Sequence, residues 1–145
     1  MGQISIVYGN IIGATWKTED YHKLQQLNKE ILSTLPDTDT FPWIHRNMFH
    51  CQDPNNIEGT YRDQVIVFGA SYKSVEYEWT EWLDKFESIL KLLYWTSATI
   101  HLDTELVGTH TYEWLIDFKQ TDNWYLDNPK PIANWEFNGG PRKFF

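Results

Sequence analysis

QVIVFGASYKSVEYEWTEWLDKFESILKLL, residues 64–93, is the stretch on which the rest of the fold depends. Gln64 to Tyr72 is rich in β-branched and aromatic side chains, the composition of a strand. Its run Val65-Ile66-Val67-Phe68 is continuous and not alternating, which predicts a central strand covered on both faces or nearly so. Past Lys73 the period changes. Trp79, Trp82, Leu83, Phe86, Ile89, Leu90 and Leu93 recur at intervals that put them on one face of a helix. Ser74 is the expected N-cap, with Glu76 and Glu78 near the positive helix end. Glu81 with Lys85, and Glu87 with Lys91, have the i,i+4 order that supports a helix.

Upstream, Ile4 to Trp16 reads as a strand with a bend or bulge at Gly9-Asn10. Thr18-Glu19-Asp20 offers a cap to a first helix, whose apolar face is Tyr21, Leu24, Leu27, Ile31 and Leu35. Pro36 stops it, and Asp37 to Thr40 is a polar connection. Ile44 to Phe49 is expected as a short strand, and Asp53-Pro54-Asn55-Asn56 is a turn signal. Downstream, Ile100, Leu102, Thr104 and Leu106 alternate with Thr99, His101, Asp103 and Glu105. Gly108-Thr109 then turns the chain into a second strand bearing Tyr112, Trp114 and Ile116. A two-residue hairpin fits, but it would set Glu105 against Tyr112 and Asp103 against Trp114, so a longer loop is the alternative.

The order strand, helix, one or two strands, helix, two strands predicts an α+β fold. In it a mostly antiparallel sheet carries two amphipathic helices on one face, nearest to the ferredoxin-like βαββαβ order. Residues 1–145 make a single domain. Residues 118–145, punctuated by Asn, Asp, Pro and Gly among aromatic side chains, are expected to pack back on it irregularly.

The chain has 12 Lys plus Arg against 20 Asp plus Glu, a net charge of −8. That balance argues against nucleic acid and against anionic membranes, and it suits a basic partner. Eight Trp and eight Tyr supply side chains suited to half-buried surfaces and interfaces. Cys51 is the single cysteine, so a reducing compartment is expected. With no signal-peptide pattern and no long apolar window, the expected location is the cytoplasm.

Motifs that would carry chemistry are sparse. His45, His50 and Cys51 do not have a standard zinc spacing, so no metal or other cofactor is expected. His101, Asp103 and Glu105 share a strand face that could hold a hard cation or work as acid and base, yet the polar side of a half-solvated strand needs the same alternation. Gly69-Ala70-Ser71-Tyr72 lacks the nucleophile elbow, and no phosphate-binding glycine motif occurs. The expectation is a protein that is not an enzyme. Its candidate contact residues are Glu76, Glu78, Glu81 and Asp84 on the second helix, Asp103 and Glu105 extending them on an exposed sheet face, and Tyr77, Trp124 and Trp135 as aromatic anchors.

Val65 to Lys73, followed by Glu78-Trp79-Thr80-Glu81-Trp82-Leu83 and Leu93-Tyr94-Trp95, resembles the small immunity proteins of bacterial polymorphic-toxin systems. The likeness runs over residues 4–117. It implies an acidic, Trp-rich α+β protein that neutralises a cognate toxin domain by binding it. A small metal-dependent hydrolase using His101, Asp103 and Glu105, or a homodimer or larger self-assembly, are the alternatives.

Overall fold

The computed structural model describes residues 3–13, 21–36, 40–51, 63–125 and 129–145. Strands β1 (Ile4–Gly13), β2 (Phe49–Cys51), β3 (Val65–Lys73), β4 (Trp95–Thr104), β5 (Gly108–Leu115) and β6 (Glu136–Gly139) form one sheet, joined by helices α1 (Tyr21–Ser33) and α2 (Trp79–Leu90). The strand order is β2-β3-β1-β4-β5-β6, and every neighbouring pair is antiparallel. The fold is therefore α+β, as expected, on a sheet two strands wider than a βαββαβ unit. From β1 the chain passes through α1 to β2 with β3 between them; from β3 it passes through α2 to β4 with β1 between them. No described helix is long and apolar enough to cross a membrane.

The apolar stripe of α2 is the one read from the sequence: Trp79, Trp82, Leu83, Phe86, Ile89, Leu90 and the following Leu93 are all buried. Its rings stack along the helix, Trp79 on Trp82 at 5.1 Å and Trp82 on Phe86 at 5.5 Å. Phe86 then meets Phe68 of β3 and Trp114 of β5. Aromatic residues bury about 150–250 Å² each, so this row supplies much of the core.

Helix α1 packs differently from its apolar period. Its most buried residues are Leu24, Gln25, Asn28 and Leu32, while Leu27, Ile31 and Leu35 lie at the margin of the core. The cause is a polar pairing. The Asn28 side-chain amide donates to Tyr94 O at 2.8 Å and to Gln64 Oε1 at 2.9 Å, and Asn28 Oδ1 accepts from Tyr94 N–H at 2.7 Å. Gln64 in turn donates to Gln25 O and to Cys51 Sγ.

Other expectations are corrected. The register of β1 runs unbroken through Gly9 and Asn10, and its irregularity falls at Ile12/Gly13 against β4. Gly9 is needed for another reason: a Cβ there would stand 2.0 Å from Thr99 O of β4. Strand β3 is covered on one face only, with Val65 and Val67 exposed, because all the described helices lie on the other side. Ser74 is no helix cap. It takes a left-handed φ of 57°, and a 3-10 turn, Val75–Glu78, precedes α2. The hydroxyl of Ser5 accepts from Val75 N–H at 2.9 Å in its place. Residues Arg46–Met48 form a 3-10 turn, and β2 starts only at Phe49.

The β4–β5 register pairs Thr104 with Gly108, so the loop is Glu105-Leu106-Val107 and Leu106 is exposed in it. Gly108 at φ 81° closes this three-residue loop as a left-handed residue does. Residues after Phe118 are less irregular than expected, since Glu136–Gly139 pairs with β5 as the sixth strand. The Thr18-Glu19-Asp20 cap, Trp16, the connection at Asp37–Asp39 and the turn at Asp53-Pro54-Asn55-Asn56 lie outside the described residues.

Candidate functional site

Two features stand out once the helices are placed. The first is the sheet face they leave open. On the central strand β1, Ile4, Ile6 and Tyr8 are 57%, 43% and 46% exposed, and Val65 and Val67 of β3 add to them. β1 turns Val7 and Ile11 into the core as a half-buried strand should, but at its start the inward residue is Ser5, and Ile4 and Ile6 on either side face out. The Ser5 hydroxyl donates to Tyr72 O and accepts from Val75 N–H, which explains the inward Ser. Around this apolar row the same face carries Lys73, Asp103, Glu113 and Glu136, all exposed.

His101 and Asp103 share the open face with Tyr8. The His101 ring lies 5.0 Å from that of Tyr8, His101 Nδ1 is 3.0 Å from the Thr111 hydroxyl, and Thr109 Oγ1 donates to Asp103 at 3.2 Å. Glu105 has left the strand for the turn, so the His101-Asp103-Glu105 row is not continuous. His50 and Cys51 are adjacent in β2 and so point to opposite faces. Among the described residues no group of three or more His, Cys, Asp or Glu could hold a metal ion.

The second feature is a cleft of about 160 Å³ at the sheet end where β1 starts. The 3-10 turn before α2 gives it Glu76 and Tyr77, α2 gives Trp79, and the C-terminal segment gives Phe144 and Phe145. Glu76 is 1% exposed, and neither of its carboxylate oxygens has a hydrogen-bond partner. Tyr77 and Phe145 stack at 4.5 Å with their planes 11° apart.

The C-terminal segment is fastened where it passes α2. Arg142 grips the Glu87 carboxylate with both terminal nitrogens and reaches Asp84 at 3.5 Å. The hydrogen bond that Arg142 donates to Glu87 is the main cause that holds the guanidinium pKa above its ordinary value; burial opposes it. The Thr80 hydroxyl donates to Arg142 O at 2.7 Å and Tyr112 OH donates to Pro141 O at 2.6 Å. Glu87 also accepts from Trp114 Nε1, so it turns toward the core and Arg142, not toward Lys91.

The expected contact residues thus divide. Glu76, Tyr77 and Glu81 line the cleft, Glu78 borders it at the start of α2, and Asp84 is exposed one turn further on. Ser5 pairs with both Tyr72 and Thr104, so the turn holding Glu105 stands at the same end of the sheet. Asp103 lies on the open face, away from α2. Trp124 is buried with its indole donating to Lys130 O, whereas Trp135 is half-buried and packs on Trp95. Ile4, Ile6, Tyr8, Phe144 and Phe145 were absent from the expected set. The apolar residues at alternate positions of β1 were a signal, but it marks one face without saying which.

Comparison with family models, with curated proteins and with solved structures returned no match.

Proposed function

We propose that this chain is a non-catalytic binding protein of the immunity type, which neutralises a cognate bacterial toxin domain by docking on it. The observation that carries the reading is the open sheet face, where a central strand presents Ile4, Ile6 and Tyr8 to solvent. Contiguous apolar surface rimmed by charge is the composition of a contact surface. With Asp103, Glu113 and Glu136 around it against Lys73, the rim favours a basic partner, which the net charge of −8 would attract. The cytoplasm is where such a protein meets its toxin.

Co-expression with the product of the neighbouring gene, read as growth rescue and as co-purification, tests the proposal. The wild type should rescue growth. A double variant Ile6→Lys, Tyr8→Lys should keep its melting temperature within a few degrees and lose both rescue and binding. Absence of rescue by the wild type would remove the immunity reading. A wild-type dimer in light scattering that the double variant dissolves would assign the face to self-association instead.

A further inference from the structure

We propose that the cleft beside α2 binds an organic cation, an alkylammonium or guanidinium group held between the Glu76 carboxylate and the surrounding rings. A carboxylate taken out of water is costly unless it is paired, and native structures rarely leave one without a partner. Glu76 is 1% exposed and both its oxygens lack one. It is also a lining residue of a cleft large enough to hold a small group. What the carboxylate lacks is a donor; its oxygens are closed to water, so a donor arriving through the cleft reaches them by displacing the side chains that line it.

The walls narrow the choice of donor. Tyr77 and Phe145 cover one face of each other and leave their outer faces exposed, with Phe144 beside them and Trp79 buried behind, and the faces of such rings attract cations, most strongly when water is excluded. A strongly hydrated metal ion would find one carboxylate and no further oxygen cluster, since no group of three candidate ligands occurs among the described residues. An anion would meet Glu76 and Glu81. An alkylammonium or guanidinium satisfies both parts at once, with its apolar stem against the rings and its charge at the carboxylate. Lys143, the cation among the lining residues, is exposed and bonds to neither Glu76 oxygen. It leaves the site open to a cation from outside.

The site goes beyond the docking face proposed above, because it stands at the end of the sheet and uses none of Ile4, Ile6 or Tyr8. The cation could be a free amine or the end of a partner's lysine or arginine side chain; the chemistry is shared.

Calorimetric titration of the whole chain with n-butylammonium, in about 0.15 M salt, tests it. The uncharged isostere 1-butanol and capped lysine (N-acetyl-lysine-N-methylamide) form the other arms. One saturable site for n-butylammonium is expected, with a Kd on the order of 1 mM, and none for 1-butanol. Glu76→Gln should weaken it at least tenfold. Capped lysine binding as well would make a protein side chain the natural occupant, and n-butylammonium alone would make it a free amine. Equal binding of 1-butanol, no saturable site, or undiminished binding by Glu76→Gln would overturn the proposal. Should Glu76→Gln fail to fold, Tyr77→Ala and Phe145→Ala, at exposed positions, must each weaken binding or the proposal falls. Loss of amine binding with toxin rescue intact would sink the cleft and leave the docking face standing.

Discussion

A glycine inside a strand ordinarily weakens it, yet Gly9 occupies the middle of β1 because the carbonyl of Thr99 fills the space a side chain would take. The atom in the way is backbone, so relief requires β4 to move. Gly9→Ala should therefore cost at least about 2 kcal/mol, measured as a lowered denaturation midpoint, although alanine is the smallest change available. An unchanged midpoint would mean that β4 gives way freely. A glycine in an apolar run announces itself in the sequence, but its cause does not. The bulge expected at Gly9-Asn10 and the close approach observed leave the same letters behind. Glu76 is the sharper case. At helical spacing it looks like one acid among Glu78, Glu81 and Asp84, and only the tertiary fold, which brings residues 143–145 to the same cleft, separates this buried carboxylate from its solvated neighbours.

At the level of elements, α2 was legible and α1 only half so. Every residue of the α2 stripe is apolar, so hydrophobic period and packing coincide. In α1 the stripe that enters the core includes Gln25 and Asn28, which hydrophobic periodicity counts as outward. Asn28 offers Tyr94 a donor and an acceptor, much as a neighbouring strand would, and so ties the helix to the start of β4. Asn28→Leu keeps the branching at Cγ, adds bulk, and strands Tyr94 N–H, Tyr94 O and Gln64 Oε1. It should destabilise by about 3 kcal/mol in chemical denaturation, and speed hydrogen exchange at the Tyr94 amide. A loss below about 0.5 kcal/mol would show that water replaces these bonds. Strand β6 was hidden for a related reason. Four residues, Glu136-Phe137-Asn138-Gly139, are too few for a period to show, and it is β5 that makes them a strand.

Over the whole molecule, two tyrosines couple stability to alkaline pH. Burial, the larger cause, pushes Tyr72 up to about 12 despite the opposing hydrogen bond from Trp82. Burial likewise pushes Tyr112 up to about 12, against the Trp79 indole and the charge of Arg142. In the unfolded chain both ionise near 10, so there the unfolded state loses its protons first. Their contribution is intact below pH 10 and is lost between about 10 and 12, at roughly 1.4 kcal/mol per pH unit for each residue. Denaturation midpoints should fall across that window, and the fall should be shallower in Tyr72→Phe and in Tyr112→Phe; equal slopes would contradict it. At this scale the α+β class could be read from the order of periods, whereas the open face could not, since Ser5 and not Ile4 or Ile6 turns inward. The two outer strands of the sheet are also its shortest, three residues in β2 and four in β6. A short border gives little template for another chain's backbone to join, which protects against fibril growth. An apolar row can then stay uncovered at the sheet's centre at a low risk of amyloid-like stacking. Whatever settles on it must be chosen by side chains meeting a surface, and not by strands lengthening a ladder.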